Sequence, residues 1–256
     1  MITREIRQFR KKLKEGYVIG PFSKTSDPAF VEMLGHAGFD FVIIDLEHGP
    51  NTIETAQNLV RGAQIGGVFP IIRVKEDAYS VIGEALDIGA GGVEVPQVST
   101  SKDAERVVRH AKFAPEGQRG VCRFVRAADY SSLDRFRYFQ EANESIVIIH
   151  LEGQEAVDNL DEILSVDGID ILFIGPYDLS QSLKVSGQVD HPLVIEKMQE
   201  IVRRCVAKEK AVGTFVDTPQ NAAKWRDLGV SYLSYSVDTG IFTDACRGIV
   251  KSVRGG

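Results

Sequence analysis

Eight short apolar runs alternate along the chain with stretches of helical period, and that rhythm predicts a (β/α)8 TIM barrel. Two further observations point the same way. The runs are almost continuously apolar, as strands covered on both faces of a parallel sheet must be. Eight such units also fit within about 250 residues, the usual size of this architecture. A doubly wound open sheet is the competing arrangement.

Taken in order, the segment MITREIRQFRKKLKEG is charged and helical in pattern, unlike the basic patch and apolar stretch of a signal peptide. The first strand, VIGPF at 18–22, follows it. The second, FVIID at 41–45, runs into Asp45, Glu47 and His48 and is closed by Gly-Pro; 53–65 then has a helical period. VFPIIRV at 68–74 places Arg73 inside an otherwise apolar strand, with a helix over 78–88 behind it. GVEVP at 92–96 and a helix over 101–111 make the fourth unit. About 50 residues then precede the fifth strand and contain QRGVCRFVRAADYSS, too long for a usual connection. This stretch is expected to be a functional loop, an interface segment or both. IVIIHLE at 146–152 with a helix over 153–164, and DILFIG at 170–175, are the next strands. A helix over 191–209 leads to AVGTFV at 211–216, and one over 218–228 leads to SYLSYS at 231–236.

With 43% hydrophobic and 26% charged residues among 256, the composition is that of a soluble globular chain, and one barrel domain over 1–256 is expected. The net charge of −6 has no block of like charges, so nothing suggests a nucleic-acid surface or a polybasic membrane patch. No apolar run approaches the roughly 20 residues of a membrane span. Cys122, Cys205 and Cys246 are odd in number and lack C-x-x-C spacing. That argues against a disulfide framework or a cysteine zinc site and for a reducing cytoplasm.

In such a barrel, catalytic groups sit at the carboxyl ends of the strands. The polar residues ending these runs are Asp45, Glu47 and His48, then Arg73, then His150 and Glu152, then Asp178 in GPYDLS. Glu152 and Asp178 are one βα unit apart, which places them on neighbouring strands roughly 5 Å from one another. Two carboxylates so placed can share one divalent cation, and oxygen donors without cysteine favour Mg²⁺, Mn²⁺ or Co²⁺. The competing reading makes both residues helix caps. Arg73 within an apolar strand calls for an anion, either a substrate carboxylate, a developing oxyanion or a structural ion-pair partner. No Gly-rich phosphate loop follows the seventh or eighth strand, so a carboxylate substrate is favoured over a phosphorylated one. His48 suits general acid or base work near neutral pH, with Asp87 as a group that could orient it; both are otherwise solvated side chains. Lys75 offers a Schiff-base alternative, and no G-x-S-x-G elbow or dinucleotide fingerprint is present.

The stretches FVIIDLEHGPN, PIIRV, EALDIGAGGVEVPQV, GQRGV, LEGQEAVDNLDEILSVDGIDILFIGPYDLSQSL and HPLV fall in order over roughly 15–245. Together they resemble the HpcH/HpaI class II pyruvate aldolases of the phosphoenolpyruvate/pyruvate barrel superfamily. The resemblance implies that Glu152 and Asp178 hold a divalent metal, Arg73 stabilises the transition state and His48 is the acid/base, made more basic by Asp87. It also implies keto-acid and aldehyde substrates and a homo-oligomer, typically a hexamer built as a dimer of trimers. Active sites would then lie near subunit boundaries, with DTGIFTDACRGIVKSV as a last helix exchanged between neighbours. His150 stands where many members carry Gln and Tyr177 where they carry Ala. Both positions line the family's substrate pocket, alongside Asp178 and Arg73. Arg123 and Arg126 are additions that suit the far carboxylate of a dicarboxylic substrate or intersubunit salt bridges. A synthase or lyase acting on oxaloacetate-like or citrate-like acids is the alternative activity. A non-catalytic metabolite-binding barrel is a third reading, but the loss of a metal carboxylate or of Arg73 that it predicts is absent.

Overall fold

The computed structural model describes residues 2–255. Eight parallel strands close into a barrel in chain order: β1 (Val18–Ser23), β2 (Phe41–Asp45), β3 (Phe69–Arg73), β4 (Gly92–Val95), β5 (Ile146–Leu151), β6 (Ile171–Ile174), β7 (Ala211–Val216) and β8 (Tyr232–Val237). All eight apolar runs are strands. Alternate side chains divide between two cores, as the period of two in a strand requires. Val42, Ile44, Ile72, Val93, Val147, Ile149, Leu172 and Val212 face outward and are buried under the helices. Phe41, Ile43, Phe69, Ile71, Ile146, Ile148, Ile171, Phe173 and Tyr232 fill the barrel interior.

The helices are α1 (Ile2–Glu15), α2 (Pro28–His36), α3 (Ile53–Gly66), α4 (Tyr79–Asp87), α5 (Ser101–Ala111), α6 (Arg135–Ala142), α7 (Gln154–Asp158), α8 (Leu160–Leu164), α9 (Pro176–Ser182), α10 (Pro192–Ala207), α11 (Pro219–Asp227) and α12 (Asp238–Arg254). Helix α1 plugs the amino end of the barrel with Ile6, Phe9 and Leu13, and Phe9 stacks on Phe69 at 4.4 Å. Helix α2 carries little periodic signal because Val31 is its one buried residue; Asp27 caps it by accepting from Ala29 N–H. The helix expected over 153–164 breaks at Asn159, whose backbone (φ −90°, ψ 9°) leaves the helical region while its side chain donates to Ser99 O at 3.0 Å. Capping is explicit elsewhere: Thr100 and Asp103 form a reciprocal capping box at α5.

The long connection between α5 and β5 lies at the amino end of the barrel, because α5 runs antiparallel to the strands and delivers the chain there. It holds a 3-10 turn (Arg126–Ser131) and α6, and packs Phe113, Ala128 and Tyr138 as a small core of its own. A loop at this end cannot reach the carboxyl ends of the strands in the same chain. Arg126 instead donates to Ile88 O at 3.1 Å and to Gln64 Oε1 at 2.5 Å, and Arg123 lies over its neighbour Phe124. Their expected role as receivers of a distal substrate carboxylate therefore has no basis within one chain. Lys112, buried here, donates to Ser145 O at 2.6 Å and Asn143 O at 2.7 Å, and burial depresses its pKa to about 8.

Candidate active site

Register sets the site. Asp45 pairs with Arg73 across β2 and β3, and Arg73 with Glu94 across β3 and β4, so the three form one interior layer near the carboxyl ends. Arg73 donates through Nε to Asp45 Oδ1 at 2.9 Å and through Nη2 to Asp45 Oδ2 at 2.8 Å. Its Nη1 lies 3.0 Å from Glu47 Oε2, and its guanidinium stacks 4.5 Å above the Phe22 ring. Two of its five N–H groups are hydrogen-bonded to Asp45 and Nη1 is ion-paired with Glu47, so N–H groups on Nη1 and Nη2 remain for a ligand. The abrupt acidic ending of the second strand is explained by this clamp: Asp45 and Glu47 compensate a buried guanidinium and fix its plane. Burial opposes ionisation of Asp45, but the hydrogen bonds and charge of Arg73 outweigh it and hold the carboxyl below its ordinary value. Arg73, likewise opposed by burial, is pushed above its ordinary value by Asp45.

Glu152 follows β5 and is buried. Its Oε1 lies 2.7 Å from His150 Nδ1 and its Oε2 accepts from Gln97 N–H at 3.0 Å. Both oxygens are therefore committed to positioning bonds, and the helix that follows, α7, starts at Gly153 with no side-chain cap. Asp178 lies in the first turn of α9, whose cap is Gly175, so neither carboxylate serves as the cap residue of its helix. The two acids are close: burial first, and the charge of Glu152 second, raise the Asp178 pKa. Burial and Glu152 raise that of Glu47 as well, against Arg73. Gly175 is pressed against Glu152, because a Cβ there would sit 2.8 Å from its Cγ and Oε1.

His48 reaches this mouth at the exposed rim, 3.8 Å from Glu47 Oε2, with its backbone N–H donating to Asp45 Oδ1 at 3.3 Å. Tyr177 is half exposed at the start of α9, edge-on to Phe215 with centroids 5.9 Å apart. His150 is fully buried between two acids, Nε2 lying 2.5 Å from Glu94 Oε1, so neither ring nitrogen is free for a substrate. Burial would lower its pKa, yet Glu152 and Glu94 raise it to about 9. Asp87 is not brought to His48 in this chain: α4 ends with it at the opposite end of the barrel, bound by Arg119 at 2.5 Å. Thus Arg73, Glu152, Asp178, Tyr177 and His48 gather at one mouth, with His150 beneath them and Asp87 apart.

Sequence reasoning missed Glu94, whose signal was an acid at an inward position of GVEVP. It also missed Asp238 at the start of α12, which accepts from Ser23 Oγ, Lys24 N–H and Thr25 N–H and so secures the loop after β1.

The residues present fit a divalent cation. Four acids, Asp45, Glu47, Glu152 and Asp178, surround one arginine, and those nearest Glu152 resist ionisation partly through its charge. Among the described residues no group of three or more His, Cys, Asp or Glu is spaced as a complete cage, so two carboxylates would share the ion with water and substrate oxygens.

A family model described as HpcH/HpaI aldolase/citrate lyase matches residues 19–245. The chain belongs to this family. As an HpcH/HpaI member it is a carbon–carbon lyase. It is 35% identical over 240 residues to 2-keto-3-deoxy-L-rhamnonate aldolase of Escherichia coli (strain K12), covering 93% of this chain and 89% of that protein. Among solved structures it resembles an HpcH/HpaI aldolase/citrate lyase family protein from Burkholderia cenocepacia J2315, at 30% identity and a TM-score of 0.91, covering 96% and 99% of the two chains. It also resembles citrate synthase SbnG, at 30% identity and a TM-score of 0.86, covering 96% and 98%.

Proposed function

We propose that this HpcH/HpaI member is a class II aldolase that cleaves a 2-keto-4-hydroxy acid to pyruvate and an aldehyde, and runs the reverse addition. The observation that carries the reading is the pair Glu152 and Asp178 at successive strand ends beside a clamped, buried Arg73. Similarity to a named 2-keto-3-deoxy sugar-acid aldolase supports the substrate class.

Glu152 and Asp178 would hold Mg²⁺, Mn²⁺ or Co²⁺, which supplies Lewis-acid polarisation of the keto and carboxylate oxygens when bound. Arg73 presents its remaining N–H groups to the oxygen on which negative charge develops as the C3–C4 bond breaks. Its plane cannot turn away, because Asp45 grips two of its nitrogens. His48 takes the proton from the 4-hydroxyl as the aldehyde forms, and returns a proton to C3 of the pyruvate enolate. Its exposed position at the rim suits exchange of that proton with solvent. Selection of the aldehyde portion is assigned to Tyr177, half exposed and edge-on to Phe215, which its place at the start of α9 supports.

A homo-oligomer, in the family's pattern a hexamer, fits two exposed apolar surfaces. Phe242, Ile249, Val250 and Val253 lie uncovered on α12, and Val121, Phe124 and Phe136 on the long connection. In such an assembly Asp87 would act on the His48 of a neighbour, since in its own chain it lies at the far end. Three free cysteines support a reducing, cytoplasmic setting, and no helix among the described residues is long and apolar enough to cross a membrane.

Release of pyruvate from 2-keto-4-hydroxy acids only with a divalent ion is the expected result. Activity that survives chelation, with borohydride trapping of Lys75 in the presence of substrate, overturns it. The likeness to citrate synthase SbnG favours a second reading, condensation or cleavage of oxaloacetate-like or citrate-like acids, which a panel with oxaloacetate and acetyl-CoA distinguishes.

A further inference from the structure

Glu94 plays no part in the chemistry just described, yet it is wholly buried in the barrel interior beneath the mouth. An unpaired carboxylate there would be costly, and this one is fully engaged. Its Oε1 lies 2.5 Å from His150 Nε2, and its Oε2 accepts from Tyr232 OH at 3.2 Å. The His150 ring is stacked on Phe173 with centroids 4.5 Å apart, and its Nδ1 meets Glu152 Oε1 at 2.7 Å. The other Glu152 oxygen accepts from Gln97 N–H, which is presented by a left-handed backbone (φ 56°) that a non-glycine residue rarely adopts. A chain of contacts therefore runs from Tyr232 through Glu94 and His150 to Glu152, and each member is held from two sides.

We propose that Glu94, acting through His150, is a positioning residue for the metal-binding carboxylate of Glu152; this rests on the metal reading above. The physical reason is preorganisation. A glutamate carboxylate has three side-chain torsions to settle, and bonds to both oxygens settle them before the cation arrives. Glu94 keeps the imidazole from rotating about its own side-chain bonds, as the partners behind metal-site ligands do. The histidine's two nitrogens are consumed in this task, so discrimination between substrates falls to groups at the rim such as Tyr177.

The test is Mn²⁺ binding to the full-length protein, measured by calorimetry and by the electron paramagnetic resonance spectrum of the bound ion. Glu94→Gln keeps an acceptor for His150 and should bind within about threefold of the parent. Glu94→Leu fills similar volume without an acceptor and should weaken binding about ten- to hundredfold, the range seen when such supporting partners are lost. Should that variant fail to fold, His150→Leu, which removes the bridge itself, should weaken binding at least about tenfold. Parent-like affinity in the folded leucine variants, or equal losses in Glu94→Gln and Glu94→Leu, overturns the inference. Glu152→Ala separates the two levels: if it abolishes binding while the folded leucine variants bind as the parent does, only the role of Glu94 falls. If it binds as the parent does, the metal reading falls as well.

Discussion

Replacing Gly175 by alanine adds one methyl group where there is no space for it. The new Cβ would stand 2.8 Å from Cγ and Oε1 of Glu152, whereas ordinary contact begins near 3.4 Å, so the carboxylate must retreat by about 0.6 Å. The backbone is not the obstacle, since φ −85° and ψ 97° are open to alanine. Glu152 is not free to retreat, because His150 holds one oxygen at 2.7 Å and Gln97 the other at 3.0 Å. A displacement of that size carries at least one of these bonds beyond good hydrogen-bond length. The overpacking should cost on the order of 1–3 kcal/mol of stability. Because the displaced group is a metal ligand, Mn²⁺ affinity should weaken about ten- to hundredfold by calorimetry. Pyruvate release should fall at limiting metal and recover when Mn²⁺ is raised. Parent-like Mn²⁺ affinity in a folded Gly175→Ala protein would refute either the assignment of Glu152 as a ligand or the rigidity claimed for it.

Further outcomes follow from other parts of the structure. Arg73→Lys loses the two-pronged grip of Asp45 and should lower kcat about 10²- to 10³-fold while leaving Mn²⁺ affinity unchanged; steady-state kinetics and calorimetry check both halves. Lys112 has a pKa lowered from 10.5 to about 8, so the unfolded chain holds its proton more tightly. The stability of the parent relative to Lys112→Met should therefore rise by on the order of 3 kcal/mol as pH climbs from about 8 through 10.5, and lose that increment as pH falls back. Urea titrations across that range measure it, and a flat difference contradicts the depressed value. Co-refolding inactive His48→Ala with inactive Asp87→Ala should restore activity, because a mixed assembly contains sites where an Asp87→Ala chain contributes His48 and its His48→Ala neighbour contributes Asp87. No recovery in a mixed oligomer would rule out that sharing.

The eight strands were legible because a strand covered on both faces must be apolar along its whole length, and each run records that in a few adjacent residues. The strand ends were legible for the same reason: a titratable group closing such a run has nowhere to go but the mouth. Less visible was anything set by register between strands. Asp45 clamps Arg73, and Glu94 meets His150, only because closure of the barrel aligns β2 with β3 and brings β4 beside β5. Sequence spacing records none of these alignments, so it does not single out Asp45 among the strand-end acids as the partner of Arg73. Helix α2 escaped notice because a surface helix with one buried residue shows no stripe, and the break at Asn159 because its partner, Ser99 O, is remote in the chain. The long connection was recognised as exceptional from its length alone. Its place at the amino end follows from the direction of α5, which separates Arg123 and Arg126 from the mouth of their own barrel.

One measurement reaches the centre of the proposed chemistry: pyruvate formed per enzyme from a 2-keto-4-hydroxy acid, before and after chelation, in the parent, Glu152→Ala and Asp178→Ala proteins. Chelation should abolish release by the parent, readded Mn²⁺ should restore it, and neither variant should respond to the ion. Undiminished release by a chelated parent, or by either alanine variant, would contradict a cleavage that depends on a cation shared by these two carboxylates.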